Sequence, residues 1–420
     1  AVPRLPPPSR LWSLSPSCVN RAFVQDTAQG ILAGMKPLQK LLGLLVLPVG
    51  GATSDAVGRR PVLAAYSVFL LVASGLSAAD TRWHASWGDT VVYVAGMLLC
   101  ASFQPKDAIL SSGVADVVSR DEATKSRAFG ALAALTTVCG LVCTVASYAA
   151  IRLHLSDYGL PWLLFAGIAL GMLVLLALLP ETLPECLSKP FEPWMLNPFH
   201  TQFQGVRLLA RDHVLLQLSA IIFLFWAYFI GFMSTKVSYL INVGFTIEQT
   251  ALPEILAGAI QIFLNAPLLV LLPRVGTWFA LVSAHVLWAF AFACWGPLTI
   301  LLGHAWAYLA NVLNGAALFI FFPSVQTILS QRVEAENQGK CQSALSAIGT
   351  CGAIIGVPIY NHVLFSATAH GLGRARPVLT SMALALLCCG LSLRAMHGAK
   401  ATQAVVDRRA ASEVELQAGI

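Results

Sequence analysis

Charge is what this chain lacks. Of its 420 residues only 11% are charged, against 57% hydrophobic; a soluble domain carries about 25% charged residues. So little polar surface cannot wrap so large a core in water, which excludes a soluble globular protein and makes lipid the expected solvent. The mean hydropathy of +0.73 agrees. Catalytic signatures are missing as well: there is no P-loop, no H-E-x-x-H and no G-x-S-x-G. Polar sequence outside the apolar runs is too short for a catalytic domain, so neither an enzyme nor a cofactor is expected. The ten cysteines contain no C-x-x-C pair. Cys100, Cys139, Cys143, Cys294, Cys351, Cys388 and Cys389 lie in apolar runs and read as small buried hydrophobes, not as metal ligands. The net charge of +6 is modest. Read by location, it concerns membrane orientation and implies no nucleic-acid partner.

Long apolar runs are what the chain has in quantity. A helix needs about 20 apolar residues to cross the hydrocarbon. Eleven segments qualify, at about 29–50, 61–80, 90–114, 128–151, 159–180, 213–235, 250–272, 276–296, 304–328, 341–366 and 376–394. The "WGPL" at Trp295–Leu298 is expected to divide one overlong run as a Gly-Pro turn. Alternate loops hold 15 basic residues, from Arg59 and Arg60 to Arg408 and Arg409. The opposite loops hold five: Arg82, Arg152, Lys236, Arg374 and Arg376. The richer side, including the C-terminal tail, is expected to be cytoplasmic.

The order of segments implies an all-α membrane protein of two pseudo-symmetric bundles, five helices plus six. Its expected parts are an extra-membrane segment 1–28, a bundle 29–181, a cytoplasmic linker 182–212, a bundle 213–397 and a tail 398–420. An internal echo supports two halves: Ala131, Ala134 and Thr137 match Ala344, Ala347 and Thr350 at a constant spacing. A weaker echo pairs Pro48 with Pro267 and Gly58 with Gly276. The first half is one helix short. Residues 1–28 have no spanning run and no initiating Met, so either an upstream helix is missing or the start is a processed targeting remnant.

One polar stretch stands out, "GGATSDAVGRRP" at Gly50–Pro61. It resembles the loop signature of the major facilitator superfamily, through Gly51, Asp55, Gly58, Arg59 and Arg60. "GVADVVSRDEATKSRAFG", "LPETLPE", "YLINVGF" and "FFPSVQTILSQRVEAENQGKCQS" follow in the family's order. The pattern is similar to the tetracycline:proton antiporter branch and the related hippocampus-abundant-transcript-like proteins, over about residues 29–395. On this resemblance the segment 29–50 is the family's second helix and the first is absent. One departure is the run "CGLVCTVASY", which lacks the late Gly-Pro pair of family antiporters and so counts against antiport.

The resemblance implies a gating latch. Gly50 and Gly51 would let the family's eleventh helix, beginning near Lys340–Ser343, approach closely. Asp55 would lie near that helix's amino end. Arg59, four residues on, is in reach of Asp55 if the turn stays helical, and the family pattern adds Asp116 as a second carboxylate. The plainer alternative is that Arg59 and Arg60 only set orientation.

Ionisable residues at membrane depth are costly and usually functional. Asp107, Lys106, Lys40 and Lys36 fall there. Gln104, Asp107 and Ser111 share a helix face, so Asp107 could carry a coupling proton, pair with Lys40, or touch solute. Glu254, Gln261 and Asn265 form one polar stripe, and His304, Asn311 and Asn314 another. Each could bind solute or tie helices together. His285 reads as a satisfied packing histidine, and Trp226, Tyr228 and Phe229 as pocket lining or lipid-facing packing. The expected function is a proton-coupled secondary transporter, a monomer in the bilayer, whose partners are a small organic solute and protons. The competing expectation is a non-transporting facilitator-fold subunit or scaffold.

Overall fold

The computed structural model describes residues 21–80, 106–118, 121–152, 160–182, 192–334, 337–366 and 369–418. Among them there is helix and no strand. In lipid a helix meets the requirement that a spanning segment satisfy its own backbone polar groups.

The N-terminal half contains α1 (Arg21–Val57), α2 (Arg59–Asp80), α3 (Lys106–Val117), α4 (Glu122–Arg152) and α5 (Leu160–Leu178). A short helix α6 (Pro198–Arg211) follows. The C-terminal half contains α7 (His213–Val243), α8 (Ile247–Val275), α9 (Thr277–Ala293), α10 (Ala305–Arg332), α11 (Gln338–Pro358) and α12 (Arg376–Ala418). Among the described residues seven helices are long and apolar enough to cross a membrane, and three shorter apolar ones lie at Ala108–Val117, Trp162–Leu178 and Glu254–Asn265. The expected span 90–114 is described only from Lys106 onward.

Helix ends follow from local chemistry. Asn197 accepts hydrogen bonds from the Phe199 and His200 N–H groups and Pro198 opens α6, a favoured start. Thr246 and Gln249 cap α8 reciprocally, each side chain bonding the other's backbone N–H. Asp121 caps α4 by accepting from the Thr124 N–H at 2.9 Å and hydroxyl at 2.8 Å. These bonds hold its carboxyl below the usual carboxylate range, the side-chain bond from Thr124 being the larger cause.

Three boundaries differ from the sequence expectation. "WGPL" is not a turn. Residues Cys294–Leu298 form a π turn that carries α9 on through Thr299–Leu302, and the chain breaks at Gly303, with φ of 109°. Pro297 has no N–H to donate, and the wider turn absorbs it. The Trp295 carbonyl accepts from the Tyr239 hydroxyl at 2.8 Å instead. The expected linker holds α6, whose Thr201, Gly205 and Leu209 are buried at a spacing of four while Phe199 and Phe203 are 74% and 69% exposed. The last helix runs past the expected tail boundary at 397 to Ala418.

Packing is densest in the C-terminal half. Phe225, Tyr228, Phe232, Trp288, Phe292, Trp295 and Phe321 are fully buried there. Their rings meet edge-on or tilted, as the Phe225–Tyr228 pair does at 5.6 Å and 90°. Tyr228 is thus a core residue, and Phe229 is partly buried against the same core, stacked on Phe225 at 5.1 Å. A smaller cluster, Leu63, Tyr66, Leu70, Ile109 and Ala169, joins α2, α3 and α5. Gly58 and Gly276, the weaker echo, both adopt positive φ, at 108° and 85°, Gly58 at the junction of α1 and α2 and Gly276 at the junction of α8 and α9.

Candidate functional site: a charged latch and a central cavity

The stretch Gly50–Pro61 forms the junction of α1 and α2. The turn does not stay helical. Val57 ends α1, Gly58 takes φ of 108°, a conformation only glycine adopts cheaply, and Arg59 begins α2. Arg59 still reaches back across the break to pair with Asp55. Its Nε donates to Asp116 Oδ2 at 3.1 Å and its Nη1 to Ser54 Oγ at 2.6 Å. The Arg59 and Asp116 side chains are 3% and 2% exposed. A guanidinium suits this place because its rigid fork can serve several acceptors at once.

Glu181, absent from the sequence-derived latch, completes it. Its two carboxylate oxygens accept from the backbone N–H groups of Arg59 at 2.9 Å and Arg60 at 3.0 Å. A carboxylate there satisfies the open first turn of α2 and complements its dipole. The signal was present in "LPETLPE", but nothing in the sequence relates position 181 to position 59. Arg60 turns the other way and donates to the Ala177 carbonyl at 2.8 Å.

All these charges belong to the first half, yet the group bears on the second. A Cβ placed on Gly339 would lie 2.3 Å from Asp55 Oδ1, and one on Gly51 would lie 2.0 Å from Ser343 Oγ. Asp55 thus sits against the first turn of α11, where the helix dipole favours an anion. Nearby, Lys125 of α4 donates to the Ser330 carbonyl of α10 at 3.2 Å, a hydrogen bond between the halves beside this close packing. Both tie the halves together at one end of the molecule, the latch end.

Above the latch lies a cavity of about 500 Å³ lined from both halves. The first half contributes Lys40 from α1, Ser111 from α3, and Thr136 and Thr137 from α4. The second contributes Trp226 from α7, Glu254 and Gln261 from α8, Asn311 and Asn314 from α10, and Thr350 from α11. Thr137 and Thr350, the matched threonines of the internal echo, face one cavity from opposite sides. Lys40 Nζ stands 6.0 Å from the Trp226 ring centroid, a cation over an aromatic face.

The expected stripes divide. Asn265 is buried and does not line the cavity. Asn314 Oδ1 accepts from the Trp288 indole at 3.0 Å, which anchors it to the core. His304 leaves its stripe altogether and stacks on Phe245 at 4.1 Å. His285 is fully buried between Trp288 and Phe321, with neither ring nitrogen hydrogen-bonded, so it packs but is not satisfied. Gln104 lies outside the described residues, as do the side chains of Lys36, Lys106 and Asp107.

The sequence reading placed Lys236 in a loop, and the structure places it inside α7. It is 4% exposed, pairs with Glu254, donates to Asn311 Oδ1, and lies 4.7 Å from the Trp295 ring centroid. The signal missed was helix length: α7 runs to Val243, because Gly244 at φ of 114° and not Lys236 ends it. Among the described residues there is no cluster of three side chains that could hold a metal.

The sequence profile of the Major Facilitator Superfamily matches residues 14–357. Hippocampus abundant transcript-like protein 1 of Bos taurus is 27% identical over 360 residues, covering 83% of this chain and 66% of its own length. The chain thus spans just under two thirds of that relative. Among solved structures, the human organic anion transporter MFSD10 (TETRAN) superposes with a TM-score of 0.67 at 20% identity, over 85% of this chain and 82% of its own. The Escherichia coli fucose:proton symporter FucP gives a TM-score of 0.62 at 13% identity, over 88% and 93%. Likeness at these identities concerns the fold.

Proposed function

The chain belongs to the major facilitator superfamily, and from that premise we propose that it is a secondary transporter moving a small organic solute across a membrane by alternating access. The observation that carries this reading is the cavity of about 500 Å³, walled by both halves and shut at one end by contacts between them. Its size suits a small organic molecule, and its mix of aromatic, amide and hydroxyl groups suits orientation of one. Opening at the latch end separates Asp55 from the first turn of α11 and Lys125 from Ser330. The latch therefore sets the balance between two states. In this reading the latch end is cytoplasmic, as the distribution of basic residues favours, and the C-terminal tail lies on that side.

Proton coupling is part of the proposal. Asp107, in the first half, is a candidate carrier by sequence position. The proton-coupled sugar symporter of the same fold shows that this architecture accommodates such coupling in a relative. A scaffold would need no two-sided cavity of this kind, so the transporter reading is preferred.

The test uses spin labels carried by unnatural amino acids at Val57 and Glu334, both exposed at the latch end on opposite halves. In lipid nanodiscs two distance populations are expected, with Asp55→Asn enriching the longer one. A single short distance in both proteins would remove alternating access. Coupling is read separately, from solute accumulation in proteoliposomes under an imposed pH gradient. Undiminished accumulation by Asp107→Asn would acquit Asp107.

A further inference from the structure

We infer that Lys236 and Glu254 form an exchangeable ion pair in which a small organic carboxylate replaces Glu254 as the partner of Lys236 once Glu254 takes a proton. The inference rests on the reading of the cavity as the solute site, and it names the substrate class: small organic anions that enter together with a proton.

The geometry is asymmetric. The Lys236 side chain is 5% exposed and that of Glu254 is 43% exposed. Glu254 lines the cavity and Lys236 stands behind it. The ammonium has three anchors: the Glu254 carboxylate, the Asn311 amide oxygen and the Trp295 ring face. Asn311 cannot turn away, because its Nδ2 donates to the Ala307 carbonyl at 2.9 Å, and an ammonium offers only donors, so the amide oxygen must face it. Two of the three anchors are fixed and neutral. The third is the only charge that balances the ammonium in this cluster, and it is the one open to the cavity.

These three residues meet at one depth. Each lies roughly 10 Å along its helix from the end remote from the latch, at about 1.5 Å per residue. Other ionisable groups on the elements around Glu254 are few. Lys40 of α1 lines the same cavity. On α7 the Tyr239 hydroxyl is turned to the Trp295 carbonyl. On α9 His285 is enclosed by Trp288 and Phe321. On α10 Tyr308 lies one turn before Asn311. On α8 Glu248 opens the helix and Arg274 ends it, and Arg152 ends α4. Among the described side chains Lys236 alone is paired with Glu254.

A buried ammonium without a counter-ion is strongly disfavoured. Protonation of Glu254 removes its counter-ion, so the protonated protein takes up an anion more readily. By linkage the bound anion raises the affinity of Glu254 for its proton by the same factor. The balance is simple. One proton binds a Glu254 oxygen, one carboxylate binds beside Lys236, no covalent bond changes, and loading adds no net charge. A fixed structural pair has no such dependence.

The test is binding of benzoate to the purified full chain, with the neutral isostere benzamide as control, at about pH 5.5 and about pH 7.5, where benzoate stays ionised. Native protein is expected to bind benzoate more tightly at the lower pH. Glu254→Gln, which keeps an oxygen for Lys236 but no charge, is expected to bind about tenfold more tightly than native protein at the higher pH and to lose the pH dependence. Adding Lys236→Met to that variant, which leaves no unpaired charge, is expected to abolish benzoate binding. Three results overturn the inference: no benzoate binding, equal binding of benzamide, or an unchanged pH dependence in Glu254→Gln. If any of these occurs while the Val57–Glu334 distances still show two populations, the anion site fails and alternating access stands. A single distance population is the failure of the underlying reading.

Discussion

The latch and the cavity hold their charges in opposite ways. Arg59 is closed off from water and held by three side chains, Asp55, Asp116 and Ser54, while Glu181 accepts from its backbone N–H. Lys236 is equally buried, but its one counter-charge faces open space. In the proposed mechanism the first arrangement is a joint whose parts stay together while Asp55 packs against α11. The second can exchange partners. Burial alone does not distinguish them, and the exposure of the partner does.

The sharpest way to break the comparison is to remove each cation. Arg59→Ala leaves Asp55 and Asp116 uncompensated in a dry site and is expected to cost about 3–5 kcal/mol, seen as a large loss of thermal stability in detergent. Arg59→Lys should recover only part of it, because an ammonium lacks the fork that serves Asp55, Asp116 and Ser54 together. Lys236→Met strands only Glu254, which cavity water can solvate, so a smaller loss of about 1–3 kcal/mol is expected. Equal losses at the two sites would erase the distinction drawn here.

Gly339→Ala sharpens the comparison at the joint. Its methyl would meet the Asp55 carboxylate at 2.3 Å, so α11 must retreat. A cost of about 1–3 kcal/mol is expected, confined to the latch-closed state, with longer Val57–Glu334 distances and little change in unfolding. Gly315→Ala is the matching change in the cavity. There the methyl would fall 0.6 Å from Gln261 Nε2, and a flexible amide can move aside. Stability should change by about 1 kcal/mol or less, while solute affinity changes because Gln261 has moved into the cavity. The smallest effect is expected for Asp121→Ala, at an exposed cap. Asp121 has a lowered folded-state pKa, so its contribution is present above the unfolded carboxylate value of about 3.9 and is lost as pH falls through the folded value. The variant should be slightly less stable than native protein near neutral pH and indistinguishable in acid.

Some of this was legible in the residues and some was not. The latch loop could be read because its members are local: Gly51, Asp55, Gly58 and Arg59 lie within nine positions, and a scarcity of charge elsewhere made them conspicuous. The polar residues of α8 and α10 could be picked out because helical spacing aligns Glu254 with Gln261 and Asn311 with Asn314. Their division between cavity and core could not, since it depends on which neighbour covers each face. His304 illustrates the point: its spacing matches the stripe, but Gly303 ends the preceding helix one residue earlier and leaves the imidazole on Phe245. Lys236 was misplaced for a related reason. A charge near the end of an apolar run looks like a loop residue unless its partners are known, and those partners lie 18 and 75 positions away.

By itself the sequence determined the solvent, the helical class and the presence of a charged junction between two helices. Each follows from composition or from contacts within a few residues, where the chain's own geometry leaves little choice. Tertiary structure alone decided that Glu181 caps that junction, that Asp55 meets the amino end of α11, and that Lys236 is a buried cation behind Glu254. These are meetings of distant segments, and a charge acquires its meaning from what stands within a few ångströms of it after the helices have packed.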